Sequence, residues 1–78
     1  MKYIIFEDFG GEEAPILFPE RILFEEMREQ IPYSKVISAG YVYIGPNGIY
    51  CMGESKELKV KSRPEDKEII EKHFFESV

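Results

Sequence analysis

The chain has one cysteine, one histidine and no tryptophan among its 78 residues. A single cysteine excludes an internal disulfide. One Cys and one His cannot furnish the four nitrogen and sulfur ligands of an ordinary zinc site. The lone imidazole also means that any acid–base or triad mechanism using histidine must run through His73. Long apolar runs are missing too. Met1-Lys2 leads straight into Tyr3-Ile4-Ile5-Phe6, far too short for a signal-peptide core or a membrane span. A cytoplasmic protein with no membrane partner is the expectation, in keeping with the lack of disulfides.

What is present argues for one small folded domain over residues 1–78. A chain of this length buries only about 60% of its unfolded surface. Six Phe and five Tyr supply large side chains that can build a core from few positions. An apolar fraction of 44% is ordinary for a globular protein and argues against disorder. The net charge of −5 is unevenly placed: residues 1–31 hold eight acids and three bases, and residues 32–78 hold seven of each. The surplus acid therefore lies wholly in the N-terminal part. Such a balance disfavours nucleic acid, whose phosphates need Lys and Arg, and favours a basic partner.

Lys2–Phe6 reads as a first strand. Glu7 to Ala14 is a loop broken by Gly10-Gly11, and Pro15–Phe18 a short edge strand. Pro19 opens a helix to about Gln30, which Pro32 stops. Leu23, Phe24, Met27 and Ile31 share an arc of that helix, and Ile22 falls off it. From Ser34 the period changes to two. Pro46 cannot take φ > 0, so a type I′ turn centred on Pro46-Asn47 is excluded. A four-residue loop, Gly45–Gly48, with a type I turn and Gly48 left-handed satisfies the stereochemistry and sorts the sheet by chemistry, whereas the competing three-residue loop with a bulge would mix the two faces. The four-residue loop pairs Tyr41 with Met52, Val42 with Cys51, Tyr43 with Tyr50 and Ile44 with Ile49. Paired residues share a face, so Val42, Ile44, Ile49 and Cys51 gather on one side and Tyr41, Tyr43, Tyr50 and Met52 on the other.

Gly53–Lys56 reads as the next turn and Glu57–Lys61 as a strand with Leu58 and Val60 inward. Ser62-Arg63-Pro64-Glu65-Asp66 has the marks of a helix start. Ser62 caps, Glu65 closes a capping box, Pro64 sits in the first turn, and acids face the positive end of the dipole. That helix spans about Arg63 to Phe75, with Ile69, Ile70, His73 and Phe74 on one arc. The order predicts an α+β fold: an antiparallel sheet of four or five strands with both helices packed on its aliphatic face.

Several segments together resemble small uncharacterised proteins encoded by phages and prophages. They are Lys2-Tyr3-Ile4-Ile5-Phe6, Ile16-Leu17-Phe18-Pro19-Glu20, Ser38-Ala39-Gly40, Gly53-Glu54-Ser55, Leu58 and the run from Lys61 to Asp66. The Ser-Arg-Pro-Glu-Asp run is the most distinctive. The resemblance spans most of the chain, suggests a genomic setting and transfers no site.

No nucleophile–base–orienter set is visible, so no enzyme is expected. His73 lies two turns from Asp66, and reads as a helix residue at the core boundary. Cys51 falls on the packed face and reads as a small hydrophobe. The acidic group Glu7, Asp8, Glu12, Glu13 lacks the ligand spacing of a calcium loop and, with no Lys following Gly10-Gly11, cannot cradle phosphate. No metal or cofactor is expected. Lys59, Lys61 and Arg63 form a basic strip which, beside the tyrosines, is what single-stranded nucleic acid binders use; lysines on an outer strand also protect an edge. The strongest lead is the tyrosine face: Tyr41, Tyr43, Tyr50 and Met52 are of the types enriched in protein–protein interfaces. The expected function is protein binding through that face, to another protein or to itself as a homodimer, with the acidic loop as a rim. The alternatives are single-stranded nucleic acid binding through the basic strip, and inhibition of a host DNA-binding protein by the acidic surface, extended by Glu25, Glu26 and Glu29.

Overall fold

The computed structural model describes residues 1–31 and 34–74. The β-branched and aromatic opening forms β1 (Lys2–Glu7), which hydrogen-bonds on both sides within a four-stranded antiparallel sheet. Its neighbours are β2 (Glu13–Phe18) and β3 (Lys35–Gly45), and β4 (Gly48–Met52) closes the order β2-β1-β3-β4. A separate two-stranded ladder joins β5 (Glu54–Ser55) to β6 (Val60–Lys61). Two helices complete the α+β fold, α1 (Phe24–Glu29) and α2 (Asp66–Phe74).

The β3–β4 register is the expected one. Tyr41 faces Met52, Val42 faces Cys51, Tyr43 faces Tyr50 and Ile44 faces Ile49; the ladder adds Gly45 with Gly48. Neither Pro46 nor Asn47 takes a positive φ while Gly48 takes +124°, so the turn at Pro46-Asn47 hands over to a glycine where a side chain would be strained.

The helices do not share a face of the sheet, contrary to the expectation. Side chains alternate along β1, and each set has its own cover. Tyr3 and Ile5 pack with Val42, Ile49 and Ile70 of α2. Ile4 packs with Phe18, Ala39 and Phe24 of α1, joined by Tyr41, Leu58 and Val60. The reason is written in β1 itself: Tyr3, Ile4 and Ile5 are consecutive, large and wholly buried, as a strand covered on both sides requires. The sheet thus has an α1 face and an α2 face.

Three boundaries also shift. Pro19 opens a turn, not a helix: the Ile22 N–H donates to the Pro19 carbonyl at 3.1 Å. The Ile22 carbonyl then accepts from Lys2 Nζ at 2.9 Å and is lost to a helical ladder. The helix starts after Leu23, whose N–H donates to Glu26 Oε1 at 3.0 Å. As a result Ile22 joins the core and Leu23 is exposed. In the second shift Glu54–Ser55 is strand and Lys56–Lys59 is turn, the reverse of the expectation. The buried Ser55 hydroxyl, which accepts the Leu58 N–H at 3.2 Å, sets that turn, and Lys59 ends it at φ +59°. Leu58 and Val60 still point inward. The third shift, at the start of α2, concerns the site below. The first helix ends at Glu29 with Gln30 as its cap, close to the expected end, while Pro32, expected to stop it, and Phe75, the expected end of the second helix, lie outside the described residues.

Candidate functional site

On the α1 face, the β3–β4 ladder sets Tyr41 beside Met52 and Tyr43 beside Tyr50, a two-by-two block of side chains. The block is covered at one end only. Tyr41 is half-buried, its ring edge-on to Phe24 with centroids 5.9 Å apart. That cover is fixed from beneath by Lys2, whose ammonium sits 4.8 Å from the Phe24 centroid. Farther along the hairpin the cover stops. Tyr43, Tyr50 and Met52 are 47%, 53% and 52% exposed. On the opposite side of the same hairpin Ile44 is 59% exposed. Of the four expected binding residues, three thus remain open, and Tyr41 belongs to the core.

The α2 face holds a polar centre that sequence reasoning missed. Asp66 is fully buried and accepts four hydrogen bonds: Tyr3 Oη at 2.6 Å, Ser38 Oγ at 2.9 Å, the Arg63 backbone N–H at 2.8 Å and Arg63 Nε at 2.9 Å. Arg63 extends the network, donating from its terminal nitrogen to Glu13 Oε1 at 2.6 Å. The expected capping box lies one residue too early. Asp66, not Glu65, reaches back, and it satisfies Arg63, not Ser62. Pro64 lies in the turn just before α2, which the Asp66 N–H closes by donating to the Arg63 carbonyl at 3.1 Å. The usable signal was an Asp three residues after Arg63, the spacing from which a carboxylate reaches back to a backbone N–H. Burial raises the Tyr3 phenol well above its ordinary pKa, and the bond to Asp66 and its charge add to the effect. Burial opposes the Arg63 charge, but its bonds to Glu13 and Asp66 prevail and raise its pKa. Every buried side-chain polar atom among the described residues has a partner. The centre therefore binds the fold to itself and leaves no group reaching for a ligand.

Other expected site residues disperse. Arg63 is committed to Asp66 and Glu13, Lys59 lies in the turn before β6, and only Lys61 occupies a strand. They do not line one side of a strand. In the acidic loop Asp8 Oδ1 accepts the N–H groups of Gly10 and Glu12, both at 2.9 Å, and so shapes the loop. Glu13 is bound to Arg63; Glu7 and Glu12 are exposed. No cluster of three or more metal-ligating side chains occurs among the described residues.

His73 is exposed, edge-on to Phe74 at 4.9 Å between centroids, and lines a shallow groove with Glu12, Glu13, Ile69 and Lys72. Asp66 has its four donors elsewhere, so no His–Asp pair forms. Cys51 is half-buried against the α2-face core. Burial pushes its thiol up to about 11, helped by the Asp66 and Glu71 charges and opposed by Lys67. A thiol so placed is a poor nucleophile at neutral pH. No described helix is long and apolar enough to cross a membrane. No family model, curated protein or solved structure matches the chain.

Proposed function

We propose that this protein works by binding another protein through the open end of the β3–β4 hairpin, with Tyr43, Tyr50 and Met52 as the contact residues. The observation that carries the reading is the uncovered cross-strand pair Tyr43–Tyr50, beside Met52, on a face where Phe18, Phe24 and Tyr41 are packed together. Tyrosine gives a wide contact area at low cost in side-chain entropy, and methionine adapts to irregular surfaces. Such a pair lends itself to recognition better than to stability, since half of each ring still meets water. The dispersal of Lys59, Lys61 and Arg63 weighs against the nucleic acid alternative.

The test is a photo-crosslinking amino acid in place of Tyr43, with the same group in place of Lys56 as control. The expected result is a discrete protein adduct at position 43 that disappears with Tyr50→Ser and Met52→Ser. Equal, diffuse labelling at both positions would overturn the reading.

A further inference from the structure

The two edges of the main sheet are finished differently. β2 presents Glu13 and Pro15, a charge and a residue with no N–H, both of which discourage a further strand. Gly48-Ile49-Tyr50-Cys51-Met52 of β4 has no charge and no proline. The lysines that could have guarded an edge, Lys59 and Lys61, lie outside this sheet, in the β5–β6 turn and in β6.

The backbone direction along β4 follows from its partner. Val42 turns its peptide groups toward the β1 side, where its N–H donates to the Met1 carbonyl at 2.8 Å. In an antiparallel ladder its opposite, Cys51, then turns its N–H and C=O away from β3, and so does Ile49 two residues back. Tyr50 between them bonds inward to Tyr43. The outer edge thus offers the donors and acceptors of Ile49 and Cys51.

We propose that a second copy of this chain pairs with that edge, β4 against β4 in antiparallel sense, about a two-fold axis through Tyr50. The inference rests on the reading of the hairpin as a binding surface and names its partner. With Tyr50 opposite its own copy, Ile49 meets Cys51 of the other chain and their outward peptide groups exchange hydrogen bonds. No other register centred within the strand sets outward groups against each other and keeps Tyr50 on the axis. Opposed residues share a face, so Tyr43, Tyr50, and the same two from the other copy form one row on the α1 face. Charge on the α2 face fits as well. Glu71 lies over the Ile49 end of the strand, lining a space with Gly48 and Ile49. Lys67 lies one helical turn earlier, on the same side of α2. The two-fold axis reverses that order in the second copy, and so sets Lys67 toward Glu71 on each side of the axis. The contact is isologous and closes on itself, since the β2 edges are guarded.

Sedimentation velocity from about 1 μM to about 1 mM covers the range of small strand-addition contacts. The expected result is a monomer–dimer equilibrium. Tyr50→Lys, at an exposed site, puts like charges face to face on the axis and should leave a folded monomer by circular dichroism. Lys67→Glu should weaken the dimer about fivefold, the range of exposed ion pairs, and Lys67→Glu with Glu71→Lys should restore it. Amide exchange at Ile49 and Cys51 should slow as concentration rises, with Tyr50 unchanged. A monomer at the highest concentration, or a dimer indifferent to Tyr50→Lys, would overturn the pairing. A monomer that still gives a foreign adduct at position 43 would overturn only the pairing and leave the tyrosine surface standing.

Discussion

The half of the sheet built on β1 and β2 and the far end of the β3–β4 hairpin are made of similar residues and used in opposite ways. Around β1 both faces are covered, by α2 over Tyr3 and Ile5 and by α1 over Ile4. At the hairpin end Tyr43, Tyr50, Met52 and Ile44 stand open on the two faces. The covered half also contains the polar centre on Asp66, while the open end has only the ladder and one well-fitted turn to hold it. Stability is concentrated in one half and contact area in the other. A chain of 78 residues has little margin for both in one place.

The strongest way to break this contrast is Asp66→Ala. It strands the Tyr3 hydroxyl, the Ser38 hydroxyl and the Arg63 guanidinium in or near the core at once. Removing one partner from a buried charged network costs about 3–5 kcal/mol, comparable to the whole stability of a small domain. The expected outcome is a chain largely unfolded at 25 °C by circular dichroism. A cooperative urea transition at the wild-type midpoint would show that the centre is not what holds α2 to the sheet.

Tyr3→Phe removes one charge-assisted bond from the same centre and should cost about 1.5–3 kcal/mol. It also sharpens the comparison through pH. The Tyr3 pKa is higher folded than the ordinary 10.0, so the stability it contributes is complete below pH 10.0 and falls as pH rises beyond it. The Cys51 thiol adds to the same slope between its ordinary 9.0 and about 11. Urea midpoints taken from pH 8 upward should decline more gently in Tyr3→Phe than in wild type. Parallel curves would mean that the phenol titrates alike folded and unfolded.

Gly40→Ala probes the covered half without touching its charges. A Cβ on Gly40 would sit 2.6 Å from the Met52 carbonyl oxygen, a backbone atom that cannot swing aside. Overpacking of this kind costs about 1–3 kcal/mol. A loss under about 0.5 kcal/mol in chemical denaturation would show that β4 shifts easily against β3, and the hairpin would be less firmly joined to the covered half than its register suggests.

How much of this was legible in advance varies with how local the determining chemistry is. Pro46 excludes a turn type by its own ring, and the sorting of Val42 from Tyr43 onto separate faces decides between the loops that remain, so the β3–β4 register could be read from the hairpin itself. The first two strands and the loop between them followed from Gly10-Gly11 and the β-branched run, and the β3–β4 strands from the change of period. The sides taken by the helices were less accessible, because an amphipathic arc says which way a helix faces and not which surface it meets. The consecutive apolar run in β1 held that answer: a sheet covered on one face has no need of both Tyr3 and Ile4. The start of α1 depended on Lys2 reaching the Ile22 carbonyl from another strand, a tertiary effect no window of residues contains. Asp66 was hidden for a similar reason. Its donors come from residues 3, 38 and 63, and only the folded chain brings them together.

The smallest expected effect on stability separates the two halves most cleanly. Tyr43→Ser changes a side chain that is half in water and packed under neither helix, so its cost should stay within about 0.5 kcal/mol, the range of ordinary surface substitutions. Its share in a protein contact should be far larger, since an aromatic at the centre of an interface contributes about 2 kcal/mol or more when truncated. Urea denaturation and sedimentation on the same sample measure the two effects together. Unchanged stability with lost association assigns the hairpin end to recognition. Stability lost in step with association would mean that Tyr43 supports the β3–β4 ladder itself, and the division between a holding half and a binding half would fail.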